Sequence, residues 1–295
     1  MKKVIAVILS CMMLLLCSGC GSNTETMGNT IGMSISTLNN PFFVTLSEGA
    51  RKEAREQGVN ITVLDAGDDT AKQASDIEDL ISKNVKVLIV NPVDSDAVSS
   101  AVNDALSRGI KVISVDRMVN GAEVDCAISS DNIGGARMAS EYLVSLIGEG
   151  AKVAELEGVP GASATIDRGA GFHQVADKKL NVVSSQTANF NRAEGLNVME
   201  NILQANSDLK GVFAHNDEMA LGALEAIKAK GVDVAVIGFD ATEDAKDAVE
   251  EGYMTATVAQ NPELMGETAV ETAMKFINGE TVDKEIAVEV ELITE

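Results

Sequence analysis

From Asn29 onward, short apolar runs alternate with longer amphipathic ones. The repeat is roughly 25 residues, the signature of βαβ units and hence of a parallel sheet covered by helices on both faces. Strands are expected at 31–36, 61–64, 85–90 and 112–115, with helices at 42–57, 71–83 and 97–108 between them. Gly58 and Gly109 stand where the first and third helices end. A second set follows, with helices at 133–147, 165–177, 193–205, 218–230 and 242–251 and strands at 152–156, 181–185, 211–214, 234–237 and 255–259. Two α/β halves of similar size are thus expected, near 30–130 and 131–260. The remaining helix, 262–278, is too much for a full second half and is expected to return to the first. Ligands of open α/β sheets bind outside the carboxyl ends of the strands, so two facing sheets make a cleft.

The first twenty residues stand apart from this pattern. Lys2 and Lys3 precede an apolar run, 4–16, too short to span a bilayer comfortably. It ends in Cys17-Ser18-Gly19-Cys20, small residues before a cysteine that resemble a bacterial lipoprotein cleavage box, apart from Cys17 where an aliphatic residue is usual. The resemblance implies a signal peptide at 1–19, acylation of Cys20, a polar tether at 20–29 and a membrane-anchored exported protein; a plain secretory signal is the alternative. The formal charge of the whole chain is −22, and losing Lys2 and Lys3 with the leader makes it −24. Phosphate-gripping surfaces carry the opposite sign, so nucleic acid is not expected as a partner. Cys126 then has no partner cysteine, and its apolar surroundings suggest a small packed hydrophobe.

The residues at the expected strand ends are polar or aromatic. Asn40, followed by Pro41, is good helix-start chemistry. Phe42 and Phe43 point about 100° apart on a helix, so at least one should face something other than the core. Asp116-Arg117 ends the fourth strand and could be a solvated ion pair. Arg168 could be a solvent-facing helical residue. Phe190 stands in a polar loop, Asn216 and Asp240 could cap the helices after them, and Gln260 closes the strand 255–259.

Singly, each has a bland explanation; together they form a chemistry. Carboxylates accept from adjacent hydroxyls, guanidiniums donate, amides do either, and flat rings cover C–H faces. A sugar offers all of these. His173 and His215 show neither metal-ligand spacing nor a nucleophile arrangement, and no Gly-x-Gly-x-x-Gly follows the first strand. No metal, cofactor or enzymatic activity is therefore expected.

The segments 36–43, 91–98, 115–117, 213–223 and 238–240 closely resemble the periplasmic ribose-binding proteins, over essentially the whole chain from Ile31. The resemblance implies the type I periplasmic binding fold, α/β with two Rossmann-like domains joined by a three-segment hinge. The domains would be 30–130 plus 261–288 and 131–260 plus 289–295. It also implies an ABC importer as setting, with D-ribose and a membrane permease as partners of a monomer. Its sugar contacts fall on Ser36, Asn40, Phe42, Phe43, Asp116, Arg117, Arg168, Phe190, Asn216, Asp240 and Gln260. Another pentose or allose is the nearest alternative ligand. A sugar-responsive transcription regulator shares the core fold, but would need a helix-turn-helix and a basic surface; a Rossmann-like enzyme would need a cofactor loop.

Overall fold

A computed structural model of the protein describes residues 31–295; the expected signal peptide, Cys20 and the tether lie outside them. Among the described residues the chain forms two six-stranded sheets. The first runs β1 (Ile31–Ile35), α1 (Pro41–Glu56), β2 (Ile61–Asp65), α2 (Thr70–Ser82), β3 (Val87–Val90), α3 (Ser99–Ser107), β4 (Lys111–Val115) and β5 (Cys126–Ser130). The second runs α4 (Asn132–Ile147), β6 (Lys152–Glu157), α5 (Ser163–Lys179), β7 (Asn181–Thr187), α6 (Arg192–Ala205), β8 (Gly211–Ala214), α7 (Asp217–Lys230), β9 (Ala235–Asp240), α8 (Glu243–Glu250) and β10 (Ala256–Ala259). After α9 (Pro262–Ile277), β11 (Glu285–Val288) joins the first sheet and β12 (Glu291–Ile293) the second.

Strand orders are β11-β5-β4-β3-β1-β2 and β12-β10-β9-β8-β6-β7, so the chain passes between the sheets three times. All described pairings are parallel except β10 with β12. The central strands β1, β3 and β8 are buried throughout, which is why they read as continuous apolar runs. Each sheet has an apolar cluster on both faces, as helices on both sides require. Helix α9 lies so close along α1 that a Cβ on Gly49 would sit 2.4 Å from the Glu263 carbonyl, and one on Gly266 would sit 2.1 Å from that of Leu46.

Three strands escape the sequence pattern. Cys126–Ser130 is short, with three of its five residues serine or cysteine, and β11 and β12 are three or four residues long, each opening on a glutamate, at the sheet edges. The helix expected from residue 97 starts at Ser99, because Asp94 accepts from Asp96 N and Ala97 N and holds 94–98 as a turn. Cys126 is fully buried as a free thiol, and burial pushes its pKa up.

Candidate functional site

The carboxyl ends of both sheets face each other across a narrow cavity walled by Asn40, Phe42, Phe43, Asp116, Arg117, Ala164, Arg168, Phe190, Asn216 and Asp240. Nine of the eleven residues expected from sequence therefore meet at one place. Ser36 and Gln260 are buried beside the wall rather than on it. Gln260 Nε2 donates to Asp240 Oδ1 at 2.8 Å, while its Oε1 is buried with no partner.

Local folding rules deliver each side chain. Asn40 caps α1, its Oδ1 accepting from Phe42 N at 2.9 Å, and Pro41 supplies the first helical φ. Asn216 caps α7 in the same way, accepting from Met219 N at 3.0 Å. Capping uses the amide oxygens, which leaves both NH2 groups for the cavity side; that of Asn216 has only a long contact, 3.5 Å, to Phe190 O. Asp240 does not cap α8, whose N-cap is Thr242. It ends β9 at φ 123°, while Asp116 follows β4 at φ 64° and Phe190 sits at φ 57°. Three non-glycine residues in the left-handed half of the map cost about 1–3 kcal/mol each, and such strain gathers where a side chain must be aimed. The Phe190 ring lies on Gly158, where a Cβ would come within 2.0 Å of its Cζ.

Charge is balanced across the cleft. Each half contributes one carboxylate and one guanidinium: Asp116 and Arg117, just past β4, from the first, and Asp240 at the end of β9 and Arg168 on α5 from the second. The expected surface ion pair is buried instead: Arg117 Nε lies 3.7 Å from Asp116 Oδ2, with both side chains 3% exposed. Arg117 donates through Nη1 to Pro92 O at 2.9 Å, and its guanidinium lies between the Phe43 and Phe190 rings, 5.0 and 5.3 Å from their centroids. Two of the site's polar atoms, Asp116 Oδ1 and Arg117 Nε, are buried without a hydrogen-bond partner. Burial pushes the Asp116 and Asp240 carboxyls up and the Arg117 guanidinium down, against the opposing pull of their charged neighbours.

Arg168 is not the solvent-facing residue its helical context allows. It is 3% exposed, donating from Nε to Asn132 Oδ1 at 2.8 Å and from Nη1 to His215 O at 2.5 Å. Its guanidinium stacks 3.9 Å from the Phe239 centroid and lies 3.6 Å from Asp240 Oδ1.

Sequence reasoning passed over the residues that hold the wall. Asn91, fully buried after β3, accepts from Ser36 N and donates to Val115 O and Asp116 Oδ2, tying three strand ends together. Its position after an apolar run at the same sheet edge was the available signal. Asp217 accepts from Thr257 Oγ1 at 2.6 Å and from Thr242 N at 2.8 Å, holding the turn that carries Asp240. Burial pushes its carboxyl up to about 7, against hydrogen bonds from Thr257 and Thr242.

A folded pKa above the unfolded value of 3.8 favours folding at low pH, and that contribution is lost as pH rises through about 7. The expected loss is on the order of 4 kcal/mol. Melting ligand-free wild type and Asp217→Asn from pH 4 to 8 tests this by slope, whatever the offset between them. The wild type should lose stability relative to the variant as pH rises; parallel curves would refute the assignment.

The two histidines meet away from the cavity. Glu155, fully buried on β6, lies 2.9 Å from His215 Nε2 and 3.1 Å from His173 Nε2, and accepts from Ser185 Oγ. The carboxylate stands between the hydroxyl and the two imidazoles, so neither histidine reaches the serine as it does in a Ser-His pair. Burial would raise the Glu155 carboxyl, but the bonds from His215 and Ser185 outweigh it and hold it low.

Comparison with known proteins places this architecture. Residues 31–281 match the family described as periplasmic binding protein domain. The chain is 48% identical to the ribose import binding protein RbsB of Bacillus subtilis (strain 168), with 100% of each chain covered. It is also 48% identical to the RbsB of Escherichia coli (strain K12), over 90% of each. Among solved structures, the Caulobacter myo-inositol binding protein bound to myo-inositol superposes with a TM-score of 0.87 at 36% identity, covering 90% of this chain and 93% of that one. A solute binding protein from Actinobacillus succinogenes 130z with bound D-allose gives 0.83 at 31% identity, covering 90% and 96%. With its two parallel sheets, three crossings and a polar cavity between the strand ends, the chain belongs to the periplasmic binding protein family.

Proposed function

We propose that this chain is the extracytoplasmic sugar receptor of an ABC importer, with D-ribose as its ligand. The observation that carries the reading is the matched wall of the cavity: a carboxylate and a guanidinium from each side, with Asp116 Oδ1 and Arg117 Nε buried without a hydrogen-bond partner. Two acids against two guanidiniums favour a guest without net charge, which argues against sugar phosphates. Small volume, alternating donors and acceptors, and the rings of Phe42, Phe43 and Phe190 suit a single pentose better than a larger glycan. The relatives named for ribose import support the same ligand.

In this reading residues 30–130 plus 261–288 form one domain and 131–260 plus 289–295 the other, opening about the three crossings. Sugar binds the open form, and the second set of contacts is completed only on closure, so the ligand draws the population toward the closed state. The chain acts as a monomer without cofactor or catalysis. It is tethered outside the cytoplasmic membrane through acylated Cys20 and hands its sugar to a membrane permease. Calorimetric titration of the mature chain with pentoses and hexoses tests the ligand, and scattering tests closure. Ribose should bind most tightly and reduce the radius of gyration. Tighter binding of allose or another pentose would replace the ligand, and silence across the panel would remove the function.

A further inference from the structure

We infer that Ser95 and Ser163 form a direct catch between the two halves, which sets sugar affinity without touching the sugar. Ser95 follows β3 of the first sheet, and Ser163 opens α5 of the second. Across the cleft Ser95 N donates to Gly161 O at 3.0 Å, and Ser163 N donates to Ser95 Oγ at 3.2 Å. Met118 N, just past Arg117, donates to Ser163 Oγ at 2.9 Å. None of these residues is on the cavity wall. Asp94 seats against Gly161, where an added Cβ would lie 2.0 Å from Oδ2, so the two loops fit closely only because that position is glycine.

The first-sheet side of the catch is prepared in advance. Asp94 holds its turn through Asp96 N and Ala97 N, and Asn120 N donates to Ser95 O at 2.8 Å. The same loop is bonded to the sugar wall, since Pro92 O accepts from Arg117. The halves thus meet through neutral hydrogen bonds that need no guest. Opening hands their donors and acceptors to water, so the catch contributes to the closed form alone. A receptor whose binding-competent closed state is less populated shows weaker apparent affinity by that same fraction, for every ligand alike.

This inference rests on the receptor reading, and the test separates the two. Ser95→Ala, Ser163→Ala and the double variant of the mature chain are titrated with ribose and with a weaker sugar of the panel, then melted without sugar. Each single variant should bind about 3- to 10-fold more weakly, the range of one neutral hydrogen bond. The factor should be equal for both sugars, because neither serine contacts them, and the sugar-free melting temperature should stay unchanged. Unchanged affinity in the double variant overturns the catch. So does a fall in the sugar-free melting temperature that matches the loss in binding, since the contact would then exist in the open form. A factor that differs between sugars overturns it as well, by making the serines ligand contacts. If ribose gives no heat while another sugar does, the ribose reading fails and the catch is judged on that sugar.

Discussion

Asp116→Asn should abolish most ribose binding while leaving the ligand-free protein as stable as before, or more so. Asp116 follows β4 at φ 64°, keeps Oδ1 buried without a hydrogen-bond partner and has its carboxyl pushed up by burial. In the absence of sugar, an amide of the same shape still accepts from Asn91 and escapes the burial cost of the carboxylate, which offsets the ion pair it gives up with Arg117. Asparagine is also among the residues that tolerate the left-handed region best. With sugar bound, the variant replaces a charged acceptor of hydroxyl protons by an amide whose NH2 takes the place of the unpartnered Oδ1. Losing one partner of a buried charge-assisted set costs about 2–5 kcal/mol, or roughly 30-fold to several thousand-fold in affinity. Stability gained where function is lost marks a residue kept for its ligand. Paired melts with and without millimolar ribose decide it. An intact ribose-induced rise in melting temperature would remove Asp116 from the site, and a collapse of the sugar-free melt would make it scaffold.

Arg168→Met should behave differently, failing in both assays. Its removal leaves Asn132 Oδ1 and His215 O without their buried donor and takes the cation from the Phe239 face. Breaking such a buried charged set costs on the order of 3–5 kcal/mol. Over a unit of this size that is roughly 10 °C in melting temperature. The rise that ribose induces should vanish as well, because the stabilisation RT ln(1 + [L]/Kd) disappears with affinity. A variant that keeps its melting point but loses the sugar response would show that the bonds to Asn132 and His215 contribute nothing. One that melts early yet still responds to sugar would place Arg168 outside the binding wall.

The contrast between these two residues shows what was legible in the chain. Alternation of apolar runs with amphipathic helices was enough for the two parallel sheets, because a strand buried on both faces must be apolar throughout. Asn40-Pro41 and Asn216-Asp217 announced helix starts by local capping chemistry alone, and polar residues after apolar runs marked the binding edge. What the chain could not show is where those edges meet. Short-range patterns do not say that Arg168, on a helix, turns inward onto Phe239 and Asp240, or that Asn91 bridges three strand ends, since both depend on contacts far apart in sequence. The edge strands β11 and β12 are too short to show a pattern of their own and take their place only from their pairing with β5 and β10. Local residue order determined which elements form and which side chains stand at their ends. Only the packing of one half against the other decided which of those side chains lose water, and burial is what turns a charge at a strand end into a binding group.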